Sequence, residues 1–184
     1  AGGPGAVHSE SICLLGAECT GKSSLTQALA EALPATPVFE YLREWCLREA
    51  RTPRRDEQAA IAAEQQRRID VALATSGGHP GWVVADTSPL MTALYSRHYF
   101  GDDSLFEPAL RLQRQHRLTL LCSPEGIAWQ ADGCLREGDA VRRQTHAELQ
   151  RLLDTERLPY RLLEGRAEPR LQQVLALLRT QSSP

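Results

Sequence analysis

Eight consecutive residues, Gly16-Ala17-Glu18-Cys19-Thr20-Gly21-Lys22-Ser23, spell G-x-x-x-x-G-K-S. Glycines at the two ends of such a loop let successive backbone N–H groups converge on phosphate oxygens, at angles a side chain would forbid. A helix starting near Lys22 adds the positive end of its dipole. The Lys22 ammonium is compact enough to reach between β- and γ-phosphates, where a forked guanidinium is too broad. Ser23 offers a hydroxyl to Mg²⁺. With Ala17, Glu18, Cys19, Thr20 and Ser24 completing its lining, the loop is expected to cradle a nucleoside triphosphate. Lys22 is also the one lysine of the chain, the other 20 of the 21 basic residues being arginine.

Phosphoryl transfer is mostly positioning and charge neutralisation, so further groups are required. Asp86 directly follows the apolar run Trp82-Val83-Val84-Ala85, where a carboxylate can hold Mg²⁺ directly or through water; the competing reading is a cap on the next helix. Glu40 is expected to end a second strand, as a carboxylate that orients or deprotonates an acceptor hydroxyl. Arg43, one turn on, suits a phosphate or carboxylate of the acceptor. Glu44 fits the same role or an i,i+4 set of surface charges. Mobile cations should cover the transferring group, and Asp132-Gly133-Cys134-Leu135-Arg136, followed by Arg142-Arg143, reads as part of a lid at about 123–143. Arg136 is the candidate catalytic arginine there.

The elements that must position these groups alternate. Ser11 to Leu15, Pro37 to Glu40, Trp82 to Ala85, Leu118 to Cys122 and Tyr160 to Leu163 read as strands. Between them, helices are expected over 24–33, 56–74, 90–99, 105–116 and 139–156, with a closing one over 169–179 and a helix or loop over 41–50. Five strands separated by helices predict an α/β, three-layer P-loop NTPase fold: a five-stranded parallel sheet with helices on both faces. A single domain over 11–180, after a flexible N-terminus at 1–10, suits a length of 184 residues.

Composition narrows the function. A net charge of −2 gives no general attraction to nucleic acid or an anionic membrane, which also weakens a kinase acting on polynucleotide ends. No apolar run approaches the ~20 residues that cross a bilayer, and the N-terminal stretch has no secretion-signal pattern. Five cysteines without a CxxC pair fit reduced thiols in a cytoplasm better than zinc or disulfides. A regulatory GTPase needs an N/T-K-x-D motif, but the one lysine already lies in the loop. An AAA+ motor needs a helical lid domain for which no length remains. A small-molecule kinase meets the demands best; the alternative is a nucleotide-gated regulatory or binding ATPase module.

Taken together, Gly16 to Leu25, Glu40-Tyr41-Leu42-Arg43-Glu44 and Ile61-Ala62-Ala63-Glu64-Gln65 resemble the kinase domain of NadR-type ribosylnicotinamide kinases. So do Asp86-Thr87, Leu94-Tyr95-Ser96 to Tyr99-Phe100-Gly101, and Trp129 to Arg136, over about residues 10–180 in the right order. The resemblance implies a nucleoside/thymidylate kinase-like fold, with ATP and Mg²⁺ phosphorylating the 5′-hydroxyl of nicotinamide riboside or a similar nucleoside, and a part in NAD biosynthesis. It implies catalytic Lys22, Glu40, Asp86 and Arg136, Ser23 and Asp86 toward the metal, and Glu40, Tyr41, Arg43, Glu44, Asp86 and Trp129 around the acceptor. No nucleic-acid or membrane partner is expected, and the protein is expected to be a monomer or homodimer. Tyr41, Trp45, Tyr95, Tyr99 and Trp129 are the aromatics available to sandwich a flat ring or to fill the core. Within these motifs the chain departs from the family pattern: the Asp-Gly-x-Arg-like element carries one extra residue, and Ser88-Pro89 stands where a second acidic residue often follows Asp-Thr.

Overall fold

The structure, a computed structural model, describes residues 9–75, 81–130 and 138–181. Within the expected lid at 123–143, residues 131–137, with the Asp132 to Arg136 element and the candidate Arg136, lie outside the described residues, as do residues 1–8 of the N-terminus. Five parallel strands, β1 (Glu10–Leu15), β2 (Thr36–Val38), β3 (Trp82–Asp86), β4 (Leu118–Cys122) and β5 (Arg161–Leu163), form one sheet in the order β2-β3-β1-β4-β5. Parallel neighbours require crossovers, and these are the helices α1 (Lys22–Ala32), α2 (Tyr41–Glu49), α3 (Gln58–Thr75), α4 (Pro89–Phe100), α5 (Phe106–Gln113), α6 (Asp139–Thr155) and α7 (Ala167–Gln181).

The three layers follow from the two-residue period of a strand. In β1, Ile12 and Leu14 are buried with Leu25 and Leu29 of α1 and Val174 and Leu178 of α7. Cys13 and Leu15 point the other way, into a cluster with Leu90 and Leu94 of α4, Leu110 of α5 and Leu149 and Leu153 of α6. Every residue of β4 is buried, as expected of an interior strand covered on both faces. Helix α4 is buried over its first two turns, Pro89 to Ser96, which is why its sequence shows no polar stripe.

Two local expectations change. The second strand runs over Thr36–Val38 instead of ending at Glu40. It is an edge strand, the setting that tolerates Pro37, and its pairing with β3 ends at Val38↔Ala85. Glu40 is therefore the N-cap residue of α2, with φ −63° and ψ 115°, and the segment left open between helix and loop is a helix that ends at Ala50 in a left-handed conformation.

At the opposite end of the sheet from the chain's Gly-rich loop, His116 Nδ1 lies 2.7 Å from Ser11 Oγ. Burial pushes its imidazole down to about 4, opposed in part by Asp70. Unfolded, the ring takes a proton near pH 6.5, so the stability its neutral form supports is complete above that pH and is lost as pH falls toward 4. Unfolding free energies from urea titrations between pH 7 and pH 4 should fall more steeply for the native chain than for His116→Gln, by on the order of 2 kcal/mol over the window. Equal slopes would contradict this role.

Candidate active site

The loop between β1 and α1 follows the central strand, and its glycines are required for different reasons. Gly21, the N-cap of α1, has φ 80°, the left-handed region that disfavours side chains. Gly16 does not lie in that region; its need is space. A Cβ there would meet Thr20 Oγ1 at 2.7 Å and the Cys122 carbonyl at 3.0 Å. The expectation of a forbidden backbone angle at Gly16 is thus replaced by a close approach to β4.

Lys22 is buried, and its ammonium donates to the Gly16 carbonyl at 2.9 Å and the Ala17 carbonyl at 3.0 Å. Two of its three donors thereby hold the side chain across the loop. Thr20 Oγ1 donates to Ala17 as well, at 2.8 Å.

Strand β3 brings Asp86 to the same place. Ser23 Oγ donates to Asp86 Oδ2 at 2.9 Å, while Asp86 Oδ1 is buried with no hydrogen-bond partner among the described residues. A buried carboxylate oxygen without a donor is costly unless something electropositive meets it. A hydroxyl and a carboxylate with one oxygen to spare fit Mg²⁺, which takes few protein ligands and keeps phosphates and waters for the rest. The helix-capping alternative for Asp86 does not hold: the N-cap of α4 is Ser88, whose Oγ accepts from the Leu90 N–H at 3.3 Å, with Pro89 following. Ser88-Pro89, standing in place of a second acidic residue, is thus a helix start. Between the two, Thr87 holds a φ of 75°, strained for a β-branched residue, with its N–H on the Leu14 carbonyl at 2.9 Å.

A cleft of about 230 Å³ runs along the loop from Glu18 to Ser24 and is closed on its other side by Glu40, Leu42, Arg43, Cys46 and Tyr95. Glu40 and Arg43 from the start of α2 therefore share one space with Lys22 and Ser23. Glu44 borders an adjoining, more open groove with Leu47 and Val71, which Glu40 and Arg43 also line, and it is ion-paired with Arg68 of α3 at 2.7 Å. Arg68 also lies over the ring of Tyr41, 4.6 Å from its centroid. The partner of Glu44 is thus a residue 24 positions on, and neither Glu44 nor Tyr41 lines the cleft. Trp45 fills a core cluster with Cys46 and Ile61. Trp129 is not in the cleft wall; it stacks with Arg142 at 5.7 Å.

Two buried arginines that the sequence did not mark as structural brace the loop from behind. Arg142 lies in the first turn of α6, on the helix expected there, and is buried instead of mobile over the cleft; it donates to the carbonyls of Cys19 at 2.8 Å and Ile127 at 2.9 Å and pairs with Asp139. Arg170 of α7, fully buried, donates to the Thr20 carbonyl and, at 2.7 Å, to the Ser123 carbonyl at the end of β4.

A family described as AAA domain matches residues 11–170. The chain belongs to this family. Among solved structures, this AAA domain is similar to a NadR protein in complex with NR, with a TM-score of 0.73 and 20% identity over 94% of the chain. It matches a NadR protein in complex with NAD and AMP-PNP at 0.73 and 22% over 92%. The AAA domain spans about half of those NadR chains, 51% and 49%. A thymidylate kinase from Candida albicans covers 95% of the AAA domain and is itself covered to 92%, at a TM-score of 0.63 and 15% identity. The fold is therefore the nucleoside/thymidylate kinase-like P-loop fold.

Proposed function

We propose that this AAA domain is an ATP- and Mg²⁺-dependent kinase that phosphorylates the 5′-hydroxyl of nicotinamide riboside or a similar nucleoside. The observation that carries the reading is the Ser23–Asp86 pair beside the Lys22 loop, with Glu40 across the same cleft. The loop N–H groups, the start of α1 and the Lys22 ammonium bind the β- and γ-phosphates. Ser23 and Asp86 would hold Mg²⁺, which supplies charge neutralisation on the phosphate oxygens. Glu40 orients the acceptor hydroxyl and takes its proton as the bond to phosphorus forms. Arg43, on that side of the cleft, meets the negative charge of the transferring phosphoryl group, and Tyr95 and Leu42 give the acceptor's flat ring an apolar wall. The likeness to a NadR protein in complex with NR supports this acceptor class.

Incubation with ATP, Mg²⁺ and a panel of nucleosides that includes nicotinamide riboside tests the reading. A 5′-monophosphate product is expected from at least one of them. ATP binding without transfer to any nucleoside would overturn the kinase reading in favour of a nucleotide-gated binding module.

A further inference from the structure

Arg170 is an unusual place for a charge. It is fully buried, and none of the ion pairs among the described residues includes it. Glu164 acts on it only through space, and burial holds its guanidinium below its ordinary pKa, although an arginine stays charged under such a shift. A methyl group added to Gly21 would lie 3.2 Å from an Arg170 guanidinium nitrogen. The cation therefore sits directly beneath the N-terminus of α1, the positive end of a helix. A buried cation with no carboxylate in contact, placed against a like-signed dipole, is unfavourable in the protein alone. An anion brought to the loop would relieve it.

The hydrogen bonding gives the same site a geometric role. Arg170 donates to the Thr20 carbonyl from behind the loop. A trans peptide is planar, so pinning that carbonyl points the Gly21 N–H to the opposite side, and Thr20 and Gly21 line the cleft. The second donor, on the Ser123 carbonyl, ties the arrangement to the end of β4.

We propose that Arg170 is a positioning residue of the nucleotide site: from α7 it aims the Gly21 N–H at the phosphate tail and supplies a buried positive charge whose counter-ion is that tail. This rests on the triphosphate reading of the loop and extends the site to a helix that begins 144 residues after Ser23 in the chain. The closing experiment is binding of Mg-tripolyphosphate and Mg-ATP to the native chain, Arg170→Gln and Arg170→Lys, with KM for ATP and for the nucleoside acceptor determined separately. In Arg170→Gln both phosphate ligands should bind about thirtyfold more weakly, as for loss of a charge-assisted hydrogen bond. The ATP KM should rise in step while the acceptor KM stays put, and Arg170→Lys should recover most of the loss. Equal affinities in the native and Gln proteins would overturn the assignment, as would parallel rises in both KM values or a Lys variant no better than Gln. Should Arg170→Gln fail to fold, hydrogen exchange on the native chain still decides: Mg-tripolyphosphate should protect the first turns of α7, and unchanged exchange there overturns the proposal. Failure of the native chain to bind either ligand would overturn the triphosphate reading itself, a result distinct from an unaffected variant.

Discussion

Lys22→Ala should lower phosphoryl transfer about a thousandfold, the scale on which enzymes lose rate when a preorganised charge stabiliser is removed. The reason is positional. The ammonium is buried and held over the loop by the Gly16 and Ala17 carbonyls, so it is in place before charge develops on the γ-phosphoryl group and needs no reorganisation. Lys22→Arg should be nearly as poor, because a planar fork cannot occupy a buried slot shaped for a single ammonium. That second variant separates geometry from charge: it keeps the charge and loses the fit. A coupled assay of ADP release checks both, and near-normal turnover in the alanine variant would contradict the assignment.

Asp86→Asn should cost about a hundredfold in turnover, with partial recovery at high Mg²⁺. The amide keeps the size of the side chain and an oxygen for the Ser23 hydroxyl, so the fold should persist. What it loses is the formal charge at the buried Oδ1, which has no donor among the described residues. A melting temperature close to that of the native chain, together with a Mg²⁺ optimum moved upward, is the expected pattern. A loss of activity indifferent to Mg²⁺ would contradict the metal-linked role of Asp86, since the amide oxygen still accepts from Ser23.

The phosphate loop and the layering were legible because both are written in local patterns. Residue types at fixed spacing define the loop, and apolar runs alternating with helical periods define the sheet; β4 has the bounds that its apolar run predicts. The short edge strand was less legible, since three residues with a proline carry almost no periodic signal, and Glu40 moved from strand end to helix cap as a result. Glu44 shows a different limit. Its neighbours one turn away suggested either a site or a local charge set, yet it pairs with Arg68, which only the packing of α2 on α3 brings near. Arg142 and Arg170 were illegible for a reason of contrast. In the sequence Arg142 reads as a lid cation and Arg170 as one of 20 arginines, because their acceptors are backbone carbonyls contributed by distant segments. The sequence carries a faint signal in retrospect: Arg170 falls one turn before Val174 and two before Leu178, on the buried stripe of α7.

The residues from Gly16 to Ser23 are expected to receive the triphosphate tail of a nucleotide. Calorimetric titration of the native chain with Mg-ATP, followed by thermal melting with and without it, tests this most directly. Saturable one-to-one binding with a raised melting temperature, lost in Lys22→Ala, is the predicted result. No heat and no shift, with either adenine or guanine triphosphate, would contradict the account at its root.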